Sequence, residues 1–97
     1  MPMDHGITHV LDGHKGAFVI DQDGKRLATM TYSLAGDSLI IIDHTEVDAS
    51  LRGSGAGNAL VAAAVAWARD SDRRIMPLCP FARSVFDRTK EYADIRA

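Results

Sequence analysis

The sequence predicts an α+β fold, in which a mostly antiparallel sheet carries one parallel βαβ unit. Two tight-turn signals, QDG at 22–24 and AGD at 35–37, separate runs of apolar or alternating residues. A glycine-rich loop follows, and it leads into an alanine-rich stretch with helical spacing and then another short apolar run. With 97 residues, 46% of them hydrophobic and 25% charged, the chain fits one soluble domain spanning 1–97.

Three consecutive strands are predicted in the first half of the chain. GAFVID at 16–21 and KRLATMTYSL at 25–34 flank an Asp-Gly turn, and the second run alternates between the two faces of a strand. SLIIIDHTEV at 38–47 is dense in β-branched residues, which is typical of a central strand covered on both faces. Strands joined by tight turns form an antiparallel meander.

The spacing of apolar residues changes after the glycines. NALVAAAVAWARDSD at 58–72 contains no helix breaker and places an apolar stripe at helical spacing, with Trp67 expected in the core. RIMPL at 74–78 predicts a fourth strand, so 38–78 forms a strand–helix–strand crossover. Pro80 suits the first position of a second helix, predicted over 80–92, with Cys79 as its N-cap.

Composition excludes several classes of function. The net charge of −2 gives no reason to expect a nucleic acid or a membrane surface as partner. No apolar run approaches the roughly 20 residues needed to span a bilayer, and the N-terminus lacks the apolar core of a signal peptide. A single cysteine excludes an internal disulfide and favours a reducing, cytoplasmic location. The oligomeric state is left open.

The stretch LRGSGAGN at 51–58 places glycines at three alternate positions between a strand and a helix. A helix N-terminus presents unpaired backbone N–H groups and partial positive charge, and glycines let a ligand approach the backbone. The stretch therefore predicts a phosphate or pyrophosphate cradle, with a simple tight turn as the alternative. Gly57 is followed by Asn58 and Ala59, which fits neither a Walker loop nor a Rossmann fingerprint.

The segment VDASLRGSGAGNALV resembles the acetyl-CoA signature of the GNAT acetyltransferase superfamily: Arg or Gln, two spacers, Gly, one spacer, then Gly or Ala. Arg52, Gly55 and Gly57 fill that pattern. Four segments in this order resemble the minimal GNAT-like family of roughly 90–100 residues, the YjdJ type; they are HTEV (44–47), RGSGAG (52–57), PLCPFARSVF (77–86) and EYAD (91–94). The resemblance covers about 16–94.

This resemblance implies an abbreviated GNAT-like fold, in which strands 38–48 and 74–78 splay apart and acetyl-CoA lies in the gap. The pyrophosphate would lie on the loop amides, and the pantetheine would run along the strand edge near Glu46. The coenzyme-binding residues that it implies are Val47, Arg52, Gly53, Ser54, Gly55, Ala56, Gly57 and Asn58. Larger GNAT enzymes use a tyrosine general acid, and no tyrosine of this chain maps to that position.

Cys79 is the first candidate for a catalytic role, as a nucleophile. At a helix N-terminus, with Arg83 one turn on, its thiolate form would be favoured. The resemblance adds that this cysteine would lie near the thioester of acetyl-CoA. The alternative is a small buried side chain that only packs.

His44 and Glu46 are the second and third catalytic candidates. The imidazole of His44 could accept a proton near neutral pH, or it could be a histidine hydrogen-bonded at a sheet end. Glu46 lies on the same face as His44 if the strand is regular, with Asp43 and Thr45 on the other, and a β-bulge would swap these faces. Glu46 is then either a base or a solvated edge carboxylate.

Other polar residues give weaker signals. His5 and His9 have a spacing that could hold a metal on a helix, but the segment predicts an extended or disordered chain without a third ligand. No metal site is expected. Arg88 and Lys90 could meet the 3′-phosphate of the coenzyme, or lie on an exposed helix face.

Three functions remain open at this point. The first is a small acetyl-CoA-dependent N-acetyltransferase, whose amine acceptor could be a protein tail, a polyamine or a small metabolite. The second is a non-catalytic acetyl-CoA or CoA-binding module that acts as a sensor or regulates a partner. The third is an interaction protein whose glycine loop is structural. Coenzyme binding separates the third from the others, and turnover separates the first from the second.

Overall fold

A computed structural model describes residues 6–97 and arranges their five strands in one sheet in the order β1-β2-β3-β4-β5. The strands are β1 (Ile7–Asp12), β2 (Lys15–Gln22), β3 (Lys25–Ala35), β4 (Leu39–Val47) and β5 (Arg74–Pro77). Two α-helices, α1 (Ala56–Asp70) and α2 (Pro80–Arg88), are accompanied by 3₁₀ segments at Ala49–Leu51 and Lys90–Ile95. All neighbouring strands are antiparallel except β4 and β5, which are parallel. The predicted α+β fold is confirmed.

Strand β1 was not predicted, and it extends the antiparallel meander by one strand. It pairs antiparallel with β2 along its whole length, so the extended alternative is the right one for Ile7–Asp12. The strand was missed because it lies at the sheet edge and its apolar residues Val10 and Leu11 stay exposed, which leaves little alternation to detect. His5 lies outside the described residues.

One face of the sheet is covered by α1 and forms the core. The alternation predicted for β3 is confirmed, because Ala28, Met30 and Tyr32 are buried on the same face. They meet the apolar stripe of α1, whose buried members are Ala56, Gly57, Leu60, Val61, Ala64, Val65 and Ala68. Among residues 6–97, no helix is long and apolar enough to cross a membrane.

The helix boundaries differ from the predicted ones by a few residues. Helix α1 begins two residues early, because Gly55 adopts a left-handed conformation (φ 82°) that serves as its N-cap. Helix α2 begins at Pro80 with Cys79 as N-cap, as predicted, but it ends at Arg88. At Thr89 the backbone leaves the helical region (φ −119°, ψ 91°), and a 3₁₀ segment replaces the predicted last turn.

A cluster of four rings, from His9, Phe18, Tyr32 and Trp67, packs together at the β1 side of the core. The ring of His9 stacks on Phe18, with centroids 4.2 Å apart, and its edge meets Trp67 at 4.4 Å. Its Nε2 lies 2.5 Å from the hydroxyl of the buried Tyr32. Trp67 is partly buried against the core, as predicted. Burial lowers the pKa of His9 below its ordinary value of 6.5.

The lowered pKa of His9 predicts that the stability of the protein depends on pH. Because the pKa of His9 is lower in the folded chain, the unfolded chain takes up the proton first as the pH falls. The contribution of His9 to the free energy of unfolding is therefore complete above pH 6.5 and is lost as the pH falls through the folded-state pKa. We expect the melting temperature to fall between pH 7 and pH 5, and His9→Gln to reduce that fall. Thermal unfolding followed by circular dichroism measures it. Parallel pH profiles for the two proteins would show that His9 makes no such contribution.

Candidate functional site

Strands β4 and β5 separate halfway along β4. Their parallel pairing joins Leu39–Ile42 to Arg74–Pro77, and its last bonds run from the N–H groups of Leu78 and Cys79 to the carbonyl oxygen of Ile42, at 3.1 and 3.3 Å. Beyond Ile42, β4 continues to Val47 paired with β3 alone among the strands of the described chain. Strand β5 ends at Pro77, which leaves a gap along one edge of β4 beside the start of α2. The splay of the two strands stays a prediction.

A cavity of about 450 Å³ lies at the N-terminus of α1, next to this gap. Its walls are Val47, Leu51, Arg52, Gly53, Gly55, Ala56, Gly57, Asn58, Phe81 and Arg88. The structure therefore brings together all but one of the eight residues predicted to bind a coenzyme. The exception is Ser54, whose hydroxyl donates to the carbonyl oxygen of Leu51 at 2.5 Å.

The loop that forms the cavity is shaped by a short 3₁₀ segment and two left-handed glycines. Asp48 caps the 3₁₀ segment by accepting from the N–H of Ser50 at 2.9 Å. Hydrogen bonding to the side chain of Ser50, and then to its N–H, lowers the pKa of the Asp48 carboxyl. Gly53 and Gly55 then take φ values of 80° and 82°. The first amides of α1 have no partner within the helix, and the residues that carry them, Ala56, Gly57 and Asn58, line the cavity. The arrangement can bind an anion.

Gly57 has a further role that the other two glycines lack. A Cβ at this position would lie 2.4 Å from the Cζ atom of Phe81, so its bare backbone lets α1 pack against the first turn of α2. Gly57 also lines the cavity, so this packing role adds to the place predicted for it in the cradle. Phe81 itself lines the cavity and was missed, because this contact joins two helices that are distant in sequence.

Arg88 extends the cavity wall from the last turn of α2. Its guanidinium donates to Asn58 Oδ1 and to Ser84 Oγ, both at 3.3 Å. Lys90, which the sequence offered beside it, is not among the lining residues. Arg52 and Arg88 are the charged side chains of the wall, and none of the lining residues from 6–97 carries a carboxylate.

Cys79 lies at the N-cap of α2, beside the point where β4 and β5 stop pairing. Its Sγ accepts from the N–H of Ala82 at 3.4 Å and lies 3.2 Å from Thr45 Oγ1. Only 4% of the residue is exposed, and it does not line the cavity. However, Thr45 and Cys79 each stand two residues from a residue of the wall, Val47 and Phe81. The sulfur itself is buried between Thr45 and the first turn of α2.

A β-bulge in β4 decides which side chain meets this sulfur. Thr31 pairs with His44 while Tyr32 pairs with Ile42, so Asp43 is the extra residue. Beyond the bulge, Thr45 faces inward to Cys79, and His44 lies on the opposite, exposed face of the strand. His44 and Glu46 share one face of the strand and Thr45 lies on the other, as expected for a regular strand, and the bulge at Asp43 makes the shared face the exposed one.

His44 and Glu46 nevertheless remain a pair. His44 Nε2 and Glu46 Oε2 are 3.6 Å apart, and their side chains are 67% and 77% exposed. A carboxylate next to an imidazole can orient the ring. The pair is placed to meet a molecule that approaches the exposed face of β4. It does not contact Cys79.

A metal site is not indicated in the part of the chain that the structure describes. No group of three or more His, Cys, Asp or Glu side chains there is placed to hold an ion. His9, one of the two histidines considered for a metal, is instead engaged with aromatic rings and Tyr32.

Comparison with known proteins places these features in a family context. A family model described as GCN5-related N-acetyl-transferase matches residues 17–95. The solution structure of a protein from Staphylococcus aureus, described as a GCN5-like N-acetyltransferase, shares 30% sequence identity and has a TM-score of 0.71. The match covers 93% of this chain and 87% of that one.

Larger acetyltransferases share the fold over part of their length. Nourseothricin acetyltransferase matches with a TM-score of 0.57 and 26% identity, over 68% of this chain and 41% of its own. The aminoglycoside N-acetyltransferase AAC(6')-Iy, in complex with CoA, matches with a TM-score of 0.60 and 18% identity, over 78% and 66%. Among curated proteins, none matches the sequence significantly.

Proposed function

The chain belongs to the GCN5-related N-acetyltransferase family and is an N-acetyltransferase, and from this premise we propose that it takes its acetyl group from acetyl-CoA held in the cavity at the N-terminus of α1. The observation that carries the proposal is this cavity, in which helix amides and two arginines meet and the described lining residues include no carboxylate. Such a wall favours a polyanion. The pyrophosphate of coenzyme A is a ligand of that kind.

The open edge of β4 supports a path for the rest of the coenzyme. Beyond Ile42 this edge no longer pairs with β5. The amide groups of pantetheine can hydrogen-bond to a free strand edge as an added strand would. A coenzyme that starts at the loop and follows this edge brings its thioester toward Thr45 and Cys79.

We assign Cys79 as the nucleophile that accepts the acetyl group. Its sulfur would attack the thioester carbonyl, forming a new carbon–sulfur bond while the bond to the coenzyme sulfur breaks. The proton of the thiol ends on the departing coenzyme thiol, so the exchange balances. The acceptor amine would then attack the acetyl-cysteine, so that a carbon–nitrogen bond forms while the carbon–sulfur bond breaks. Cys79 leaves as its thiolate and the amine gives its proton to a base.

The acceptor is an amine that reaches the gap from the open face of β4. An amine needs to lose a proton when it becomes an amide, and His44 with Glu46 is placed on that face to receive it. A second cavity of about 460 Å³ lies beside this pair, and its walls are Arg26, Leu27, Ala28, Thr29, Glu46, Val47 and Asp48. A small amine metabolite therefore fits there as well as a lysine-containing tail or a polyamine.

Acetyl transfer tests this proposal directly. The protein is incubated with acetyl-CoA and, separately, with a lysine-containing peptide, a polyamine and a small primary amine, while coenzyme thiol release is followed by a chromogenic thiol reagent. We expect release above the no-acceptor rate and an acetylated amine detectable by mass spectrometry. Coenzyme binding without transfer to any of the three would contradict the acetyltransferase assignment of this site.

His44→Gln tests the proton acceptor. If His44 receives the proton of the amine, the variant should keep its affinity for acetyl-CoA and lose about 10²–10⁴ in transfer rate, most strongly near neutral pH. His14→Gln, in the exposed turn between β1 and β2, is the matched control and should transfer at the wild-type rate. A His44→Gln rate equal to wild type from pH 6 to pH 9 would assign this histidine to structure.

A further inference from the structure

The positive charges of the α1 cavity come from two different elements of the fold, each of which we treat as one centre. One centre is the loop itself, where Arg52 and the first amides of α1 come from neighbouring positions in the chain. The other is Arg88, which joins the cavity wall from the last turn of α2 and contacts Asn58. Coenzyme A also carries its negative charge in two places, the pyrophosphate and the 3′-phosphate of the ribose. The first centre suits the pyrophosphate, which leaves Arg88 without an assigned ligand.

Arg88 is held in place without being neutralised. Its two terminal nitrogens donate to Asn58 and Ser84, which are neutral acceptors on different helices. Two other arginines of the C-terminal half are paired with carboxylates at 2.8 Å, Arg69 with Asp94 and Arg96 with Asp87. No ion pair of this kind involves Arg88 within residues 6–97. Its charge is therefore available to a ligand in the cavity.

We propose that Arg88 binds the 3′-phosphate of the coenzyme and so makes the enzyme selective for coenzyme A over 3′-dephospho-coenzyme A. This inference rests on the proposed function. A guanidinium has five N–H donors, so it can keep its bonds to Asn58 and Ser84 and still donate to a phosphate. The bond to Asn58 fixes the guanidinium at the cavity wall, which reduces the entropy lost when the phosphate binds.

Calorimetric titration of two ligands into four proteins tests the assignment. Acetyl-CoA and its 3′-dephospho analogue are titrated into wild type, Arg88→Gln, Arg88→Lys and Lys90→Gln. We expect wild type to bind acetyl-CoA about tenfold more tightly than the analogue. Arg88→Gln should bind both equally, and Arg88→Lys should keep part of the preference because it keeps the charge. Lys90→Gln is the matched control, since Lys90 is exposed nearby but does not line the cavity.

The ratio of the two affinities within each protein is the decisive quantity, because a loss of folded protein lowers both affinities alike. Equal affinities in wild type would overturn the assignment of Arg88, as would an undiminished preference in Arg88→Gln. In both cases the coenzyme still binds, so the proposed function stands. Wild type that binds neither ligand would instead overturn the proposed function, and the assignment with it.

Discussion

Gly55→Val is expected to weaken acetyl-CoA binding by roughly a hundredfold, about 2.7 kcal/mol. Gly55 is the N-cap of α1 and lines the cavity, in a left-handed conformation with open space where a side chain would project. A valine fills that space and strains the backbone that orients the first amides of the helix. Calorimetric titration with acetyl-CoA measures the loss.

Gly36→Val separates this effect from simple destabilisation. Gly36 lies in the turn between β3 and β4 with φ 64°, and a Cβ at this position would meet no atom within 4 Å, so a valine there meets a similar strain away from the cavity. Each variant should lose roughly 1–2 kcal/mol of stability, and Gly36→Val should keep wild-type affinity. Equal binding by Gly55→Val and wild type, or equal loss in both variants, would refute the anion site at this loop.

Acetyl-CoA alone should leave an acetyl group, about 42 Da, on Cys79 when no amine is present to remove it. The sulfur lies behind the gap in which β4 and β5 part, 3.2 Å from the hydroxyl of Thr45. Intact-protein mass spectrometry after short incubation should show the adduct, and peptide mapping should place it on Cys79. Addition of an acceptor amine should remove it while the acetylated amine accumulates.

Cys79→Ser is the better control for this experiment than Cys79→Ala. The sulfur of Cys79 accepts the N–H of Ala82 and so caps α2. Serine keeps a cap acceptor, whereas alanine loses it at a cost of about 1 kcal/mol. The serine variant should bind acetyl-CoA and form no adduct under the same conditions. Full transfer to an amine by either variant would show that the acceptor attacks bound acetyl-CoA directly and that the thiol only packs.

The sequence was sufficient for the parts of the fold and site that depend on local signals. Turn residues, alternation in β3 and the alanine-rich stretch of α1 each indicate their element over a few positions. The start of α2 followed from Pro80 and Cys79 alone. The glycine loop carried its own signal, because a left-handed residue at a helix N-terminus is readily met by glycine.

The parts of the fold and the site that the sequence did not predict depend on contacts between segments that are distant in the chain. The bulge at Asp43 follows from how β3 and β4 pair, and nothing local in the sequence marks which residue is extra. That one residue decides that Thr45, and not His44, meets the sulfur of Cys79. In the same way, the roles of Gly57 and Phe81 become visible only when α1 and α2 pack together. Strand β1 was missed since its exposed apolar residues weaken the alternation.

The central claim is that the cavity at the N-terminus of α1 binds acetyl-CoA. A titration of the ¹⁵N-labelled protein with acetyl-CoA, followed by amide NMR, tests it most directly for a chain of 97 residues. We expect the largest shifts at the amides of 53–58, with smaller ones at Val47 and along the open edge of β4. Shifts confined to the opposite end of α1, or no shifts at millimolar acetyl-CoA, would contradict it.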